Sequence, residues 1–221
     1  MKNNRFIYVV LVSILFLASC VANLEVRKNQ EEALRNLGEA YMRQGDYTAA
    51  LRKLLEAKKL YSKDPHLQNN LGLVYMAKGK PGIAINHFKK AVEIKPDYTS
   101  AKNNLGTAYL AQKKWNAAIS CFKEITGDLL YATPYYPLSN LGWAYYNKKE
   151  YGLAEKYYKD ALKIEPRFAI ALSGLSKTYI ATGRIPEAVT FLEKVIELAP
   201  GSPIAIEAQK EIERLRNWRI K

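Results

Sequence analysis

The chain has 221 residues, of which 48% are hydrophobic and 25% are charged, so it is long enough to bury a continuous core. Its net charge of +13 permits a nucleic-acid, anionic-lipid or acidic protein partner. Because the basic residues are spread along the whole chain, we interpret them as a solvated surface and expect no nucleic-acid partner. The two cysteines and two histidines lack zinc-like spacing, and we expect no metal and no cofactor.

The first predicted element is a signal peptide at residues 1–19. Lys2 and Arg5 precede an uncharged stretch, FIYVVLVSILFLA, and small residues follow it. This order is the layout of a secretory signal. A membrane-spanning helix needs about 20 mainly apolar residues, and continuing through SCVANL nearly reaches that length. On hydropathy alone, a cleaved signal and a retained anchor both remain open.

The end of this segment, Leu17-Ala18-Ser19-Cys20, resembles the bacterial lipobox. The resemblance implies that a diacylglycerol is attached to Cys20, that cleavage occurs before it, and that its amine is acylated. Several acyl chains attach a protein stably, whereas one binds only marginally. In enteric-type lipoproteins an aspartate after the cysteine signals inner-membrane retention, and Val21 stands there instead. The resemblance predicts a lipid anchor at the bacterial outer membrane, facing the periplasm. The residues that follow Cys20 indicate a short, extended polar tether, so residues 20–30 form the predicted lipidated tether.

A repeat with a period of 34 residues begins at residue 31. Gly38, Gly72 and Gly106 are each 34 residues apart, and Gly142 and Ser176 hold the same place in the next two repeats. This pattern resembles the tetratricopeptide repeat, a pair of antiparallel helices. We expect an all-α, right-handed α-solenoid of about five helix pairs, because such pairs bury a continuous core only by stacking. The repeat domain covers 31–200, with repeats at about 31–64, 65–98, 99–134, 135–168 and 169–201.

The recurring residue types indicate how each pair packs. A small residue in the first helix and an alanine in the second, such as Gly72 and Ala84, allow close approach. A tyrosine in the first helix, such as Tyr75, wedges an apolar ring between helices and keeps a polar tip. A large residue in the second helix, such as Phe88, fills the next interface. Residues 202–221 are expected to form a capping helix and tail with a charged outer side.

The segment between the third and fourth repeats, TGDLLYATPYYPLSNLG, is two residues longer than the period requires. We expect Thr133 to cap the next helix, with Pro134 at its first position and Pro137 in its first turn. The insertion is either neutral or a local change of superhelix pitch that shapes the groove.

This segment contains Tyr131, Thr133 and Pro134, and the helices after it contain Gly152 to Glu155, then Pro166 and Phe168. By these residues the chain resembles the type IV pilus biogenesis and stability lipoproteins, which are tetratricopeptide pilotins. The lipobox and the total length agree with that family. Many relatives have six repeats, and some carry a bridging cysteine pair, whereas this chain has five repeats, one further helix, and only Cys121 after the anchor. The resemblance implies a scaffold that helps a secretin ring assemble.

In this architecture the first helix of each repeat lines a concave groove. Contiguous exposed apolar surface with Trp and Tyr anchors is typical of a protein interface, and asparagines would add polar contacts to an extended segment. The alternative is that the superhelix or the C-terminal helix covers the groove, or that single exposed apolar residues carry no function. The predicted groove residues are Asn69, Leu73, Met76, Asn103, Thr107, Leu110, Trp143, Tyr146, Lys177 and Ile180.

The sequence therefore predicts a non-enzymatic, lipid-anchored scaffold with protein partners. A secretin or another pilus-assembly component is the expected client, an adaptor for cell-wall enzymes is the alternative, and the oligomeric state stays open. An enzyme is disfavoured because no nucleophile–base pair, phosphate loop or carboxylate pair stands out from the repeats. Cys121, His66 and His87 are interpreted as surface or packing residues.

Overall fold

A computed structural model describes the backbone of residues 2–126 and 133–218, and the side chains of 23–126 and 133–217. Over these residues the chain forms eleven α-helices and no strand. The helices belong to two compact units, Met1–Tyr98 and Thr99–Lys221, here called the N-terminal and C-terminal units.

The N-terminal unit consists of two helix pairs. Its core is built from the small and apolar faces of the second and third helices, including Leu54, Leu67 and Leu71. Asp46 and Asp64 begin the second and third helices, because each carboxylate accepts hydrogen bonds from two amides that have no partner within the helix. The helices are α1 (Lys2–Arg43), α2 (Tyr47–Leu60), α3 (Pro65–Ala77) and α4 (Pro81–Ile94).

Helix α1 is continuous from Lys2 to Arg43, so residues 23–30 are helical and not the extended tether that the sequence suggested. The chain has no glycine or proline before Gly38 that would interrupt this helix. A helix rises about 1.5 Å per residue, less than half the reach of an extended chain. Within the described part of the chain, none of the helices combines the length and the apolar character needed to cross a membrane.

The C-terminal unit consists of three helix pairs and a last single helix. Ala208, Ile212 and Leu215 of that helix pack on Leu172 and Leu192 of the preceding pair. The predicted capping helix, and with it the all-α fold class of stacked helix pairs, is confirmed. The helices are α5 (Thr99–Ala111), α6 (Trp115–Ile125), α7 (Tyr135–Asn147), α8 (Tyr151–Ile164), α9 (Ala169–Ala181), α10 (Ile185–Leu198) and α11 (Pro203–Trp218).

Two glycines leave room for a large ring of a neighbouring helix. A Cβ added at Gly72 would lie 2.4 Å from Cε1 of the buried Phe88 ring, as the repeat pattern predicts. A Cβ at Gly174 would lie 2.2 Å from Cζ of Tyr158, which reaches it from the preceding repeat. The corresponding position of the second repeat is Asn70. A glycine at position 174 leaves the room that the Tyr158 ring requires.

The start of α7 differs from the expectation. The helix begins at Tyr135, and Pro134 is its N-cap residue with no side-chain hydrogen bond. The prediction that Thr133 caps the helix is wrong: its backbone carbonyl accepts a hydrogen bond from the Tyr136 amide at 3.2 Å, which closes a turn instead. Pro137 lies in the first turn as expected, where an amide donor has no helical partner.

Candidate protein-binding groove

An open cavity of about 340 Å³ lies between α7, α9 and α11 of the C-terminal unit. Trp143 and Tyr146 form its α7 wall, and Ser173, Lys177 and Ile180 form its α9 floor. A second cavity of about 310 Å³ shares Trp143, Ser173 and Lys177 with the first, so the two make one cleft along α9. The residues opposite α7 are Leu192 of α10 and Glu207, Ala208, Glu211 and Arg214 of α11.

The α7 wall is an aromatic pair. Trp143 and Tyr146 are one helical turn apart, and their rings stack with centroids 5.7 Å apart and an interplanar angle of 10°. Tyr146 also packs against the core, whereas Trp143 is 38% exposed. A stacked ring that is held from below and open above can accept an apolar side chain without rearrangement.

Apolar surface continues toward the start of α7. Tyr136 is 43% exposed, and its ring meets Phe168 edge to face at a centroid distance of 5.0 Å. Ile170, at the start of α9, is 55% exposed and lines the second cavity. Trp143, Tyr136 and Ile170 therefore leave apolar surface exposed on the helices that line the cleft, which is typical of a binding site.

The α11 wall is charged. Lys177 Nζ lies 3.0 Å from Glu207 Oε1, and Arg214 pairs with Glu211. Glu207, Glu211 and Arg214 follow a spacing of four and three residues, which puts them on one face of α11. An apolar centre with a polar rim is the usual composition of a protein interface.

Four of the predicted groove residues meet at this cleft: Trp143, Tyr146, Lys177 and Ile180. The three predicted on α5 are half-buried and are not among its lining residues. Leu110 packs against the core, and the Thr107 hydroxyl donates to the Asn103 carbonyl at 3.0 Å. The side-chain oxygen of Asn103 is buried, with no hydrogen-bond partner among the described residues.

The predicted residues of the N-terminal unit lie on α3. Leu73 and Met76 are half-buried. Asn69 is only 5% exposed, so the expectation that it offers polar contacts to a bound segment is not met in this structure. Cys20 lies outside the residues whose side chains are described, and Tyr131 lies outside the described residues altogether.

The α11 wall was missed from sequence. The C-terminal helix was expected to cover an apolar face, and it does so with Ala208, Ile212 and Leu215. Its flank also borders the cleft, and Trp143 stays exposed beside it. The spacing of Glu207, Glu211 and Arg214 places them on one face of a helix and could have predicted a charged surface. The sequence does not indicate which other helix that face meets.

A buried charge network was also missed. Arg35 lies among four carboxylates. Its guanidinium is 3.0 Å from Glu39, 3.4 Å from Asp64, 3.5 Å from Glu32 and 3.8 Å from Glu31. Glu31 is 2% exposed, and burial together with the neighbouring Asp64 raises the pKa of its carboxyl to about 7. Asn70 donates its side-chain amide to Glu39 at 2.6 Å. These groups fill the space between α1 and α3 as ion pairs, and Glu31 Oε1 and Arg35 Nε are buried there with no hydrogen-bond partner among the described residues.

His87 of α4 belongs to a second polar contact of the N-terminal unit. Its Nδ1 lies 2.8 Å from Gln68 Oε1, and its ring stacks on Tyr75. Burial, with Lys58 and Lys90 nearby, lowers the pKa of His87 to about 4. The ring is therefore neutral at pH 7, and Nδ1–H donates to the Gln68 amide oxygen.

The paired helices and the groove define the class of helical-repeat proteins that bind other proteins. A family model described as the tetratricopeptide repeat matches residues 29–97, and another matches 75–129 and 146–212. The chain belongs to the tetratricopeptide repeat family, whose members bind protein partners and are generally non-enzymatic.

Solved structures show the same fold. PilW, described as a widely conserved type IV pilus biogenesis factor, is similar with a TM-score of 0.71 and 23% identity over 83% of this chain and 92% of that one. The pilF protein of Pseudomonas aeruginosa has a TM-score of 0.72 and 17% identity over 86% and 93%. MamA has a TM-score of 0.63 and 28% identity over 73% and 93%. At these identities the likenesses to PilW and pilF are evidence for the fold alone.

One curated relative matches part of the chain. The uncharacterized protein ycf37 of Porphyra purpurea is 32% identical over 72 residues, which are 33% of this chain and 42% of the relative. The match thus spans about two fifths of that relative's length.

Proposed function

We propose that this chain is a lipid-anchored scaffold of the bacterial envelope, and that it binds an extended segment of a protein partner in the cleft between α7, α9 and α11. The observation that carries the proposal is the stacked Trp143–Tyr146 wall, half open to solvent and facing the charged α11 rim. Trp and Tyr in such positions contribute most of the free energy of many interfaces. We propose no catalytic role, because the ionisable groups around the cleft form ion pairs with one another.

The proposed client is the secretin, or another assembly component, of a type IV pilus. Two observations support this choice. The chain has the fold of PilW, a type IV pilus biogenesis factor, over most of both lengths. It also carries the Thr133–Pro134, Gly152–Glu155 and Pro166–Phe168 residues by which the sequence resembles the pilus lipoproteins. The fold by itself does not choose the client, since MamA shares it.

The proposed anchor is a lipid on Cys20, at the outer membrane and facing the periplasm. It is supported by the lipobox resemblance and by helix α1, which continues from that region directly into the N-terminal unit. Replacing Cys20→Ser should move the protein out of the membrane fraction on cell fractionation. Unchanged membrane association would show that the apolar run is a retained helix.

The cleft is tested with Trp143→Ala. Capture of the partner by cross-linking in intact cells should fall about tenfold, the effect of losing an interface anchor worth roughly 1–2 kcal/mol. Leu153→Ala is the matched control, because Leu153 is 39% exposed but lies on α8, outside the cleft. Helical content and melting should be unchanged in both variants. If Trp143→Ala unfolds the C-terminal unit, its indole is core and not an anchor.

The client is tested by deletion. Loss of the chain should reduce secretin multimers and surface pili, and the wild-type chain should restore both. Unchanged multimers and pili would remove the pilus assignment, while recovery of cell-wall hydrolases with the cross-linked protein would favour an adaptor for those enzymes.

A further inference from the structure

Basic side chains concentrate at one end of the N-terminal unit. From its middle to its last turn, α2 presents one shallow surface lined by Arg52, Leu55, Glu56, Lys58 and Lys59. Helix α1 adds to it, because Arg27 donates to the Lys59 carbonyl at 3.4 Å and Lys28 lies 5.2 Å from the centre of the Tyr61 ring. We call this the basic patch: Arg27, Lys28, Arg52, Lys58 and Lys59.

The patch keeps a clear positive charge. Glu56 is the acidic residue of α2 that borders the patch, and it forms an ion pair at 2.8 Å with Lys53. Because Lys53 is not a patch residue, this pair neutralises none of the patch cations. Glu31 and Glu32, one turn after Arg27 and Lys28 on α1, both lie within ion-pair distance of Arg35. Glu25 precedes Arg27 by two residues, and counting it leaves five cations against one carboxylate outside these pairs. Four of the five cations are exposed, and Lys58 is half-buried. Nothing in the described contacts pairs these ammonium and guanidinium groups with a carboxylate.

The patch lies at the end of the unit that is nearest to the proposed anchor. Helices α1 and α2 are antiparallel, so the last turns of α2 lie beside Arg27 and its first turn lies near Arg43. Arg27 follows Cys20 by seven residues in one helix, a rise of about 10 Å. Leu24 and Val26, between them, are 43% and 53% exposed. Exposed apolar residues beside cations are the composition of a segment that rests on a membrane surface.

We infer that the basic patch docks on the anionic phospholipid headgroups of the membrane that carries the anchor. This inference rests on the proposed membrane attachment and adds a second, electrostatic contact to it. Headgroup charge attracts lysine and arginine within a Debye length of about 10 Å, the same distance that α1 sets between Cys20 and the patch. The contact directs the α2 C-terminal end of the N-terminal unit toward the membrane and its Asp46 end away from it.

The test is lysine footprinting of the full-length chain, purified from the membrane fraction and reconstituted into vesicles. One set of vesicles contains phosphatidylcholine alone, and the other contains phosphatidylglycerol as well. An amine-reactive label, read by mass spectrometry, should modify Lys28, Lys58 and Lys59 about threefold more slowly in the anionic vesicles, and added salt should remove the difference. Lys78 and Lys80 are the internal reference, because Lys78 contacts Thr48 at the opposite end of α2. Their rates should not change.

A charge reversal makes the test specific. In Arg52→Glu/Lys59→Glu, Lys28 and Lys58 should be labelled in anionic vesicles as fast as in neutral ones. The matched control, Lys78→Glu/Lys80→Glu, changes the net charge equally and should keep the wild-type protection. Equal labelling of the wild-type patch in both vesicles, with the protein still bound to them, overturns the docking inference alone. A chain that is absent from the membrane fraction and from both vesicles overturns the anchor as well.

Discussion

The two units use the same helix pairs but fill the space between neighbouring first helices in opposite ways. In the N-terminal unit, Arg35 and its carboxylates occupy the space between α1 and α3. In the C-terminal unit the space beside α7 and α9 is an open cleft, with Trp143 exposed on its wall. The repeat therefore sets where helices lie, and a few residues outside its pattern determine whether the surface between them is closed or open.

The two units differ most plainly at one position of the repeat. The place of Glu39 in α1 is held by Trp143 in α7 and by Lys177 in α9. Glu39 is tied to Arg35 and Asn70, and so it is satisfied within the fold. Trp143 instead stacks on Tyr146, and its side chain is 38% exposed.

The largest expected effect comes from breaking the N-terminal network with Arg35→Ala. Removing the cation leaves the carboxylates of Glu31 and Asp64, whose side chains are 3% and 16% exposed, without their buried partner, and this should cost about 3 kcal/mol of unfolding free energy. Amide hydrogen exchange in α1–α4 measures this locally. Arg43→Ala, an exposed arginine at the end of the same helix, is the control and should change the free energy by less than about 0.5 kcal/mol. Equal exchange in the two variants would contradict a stabilising role for the network.

The second largest effect is expected from a substitution in the close packing beneath the cleft. Gly174→Ala puts a methyl group against the rigid, buried Tyr158 ring and should cost about 2 kcal/mol. Thermal unfolding followed by tryptophan fluorescence reports the C-terminal unit, because all three tryptophans lie there. Gly152→Ala is the matched control: nothing lies within 4 Å of its Cβ position, and alanine favours a helix. A Gly174 variant that melts like the Gly152 variant would show that Tyr158 moves freely.

The third effect is a pH dependence confined to the N-terminal unit. The pKa of His87 is about 4 in the fold against an ordinary value of 6.5, so below pH 6.5 the unfolded chain binds a proton that the folded chain does not. Stability should therefore fall as the pH drops from about 6.5 to 4, by roughly 1 kcal/mol once partial solvent exposure is allowed for. His87→Gln should flatten this limb in unfolding experiments. An unchanged limb would mean that the histidine is solvated.

Glu31 acts with the opposite sign. Its pKa of about 7 lies above the ordinary 4.5, so its contribution to stability is present below pH 4.5 and is lost as the pH rises to 7. Glu31→Gln should remove that loss and leave the acid limb of His87 visible by itself. The two substitutions together separate two titrations of opposite sign that overlap between pH 4.5 and 6.5.

The smallest expected effect concerns the cleft's charged rim. Lys177 and Glu207 are 38% and 63% exposed, so their ion pair should contribute less than about 0.5 kcal/mol to folding. A double-mutant cycle of Lys177→Gln and Glu207→Gln, read by thermal unfolding, measures the coupling. A coupling above about 1 kcal/mol would mean that α11 is held at the cleft by this pair rather than by Ala208, Ile212 and Leu215.

Much of the fold was predictable because helix pairing is local and periodic. The spacing of Gly72, Ala84 and Phe88 recurs in every repeat, and the structure places these residues in contact or in the core as the pattern requires. Thr133 was mispredicted because a capping residue type cannot be distinguished from a turn residue without knowing the backbone conformation. The sequence did not predict that position 174 requires a glycine, because the requirement comes from the Tyr158 ring, which lies in another repeat.

The sequence by itself determined the repeat family, the helix pairs, the capping helix and Trp143 as the leading candidate for an anchor. Only the tertiary structure decided which predicted groove residues face an open cleft: Asn69 is buried, Trp143 is exposed, and the flank of α11 forms the opposite wall. The Arg35 network likewise joins residues about 30 positions apart in the chain. Periodicity specifies which side of a helix a residue occupies. Burial and pairing depend on which other helix meets that side, and this follows from packing between distant segments.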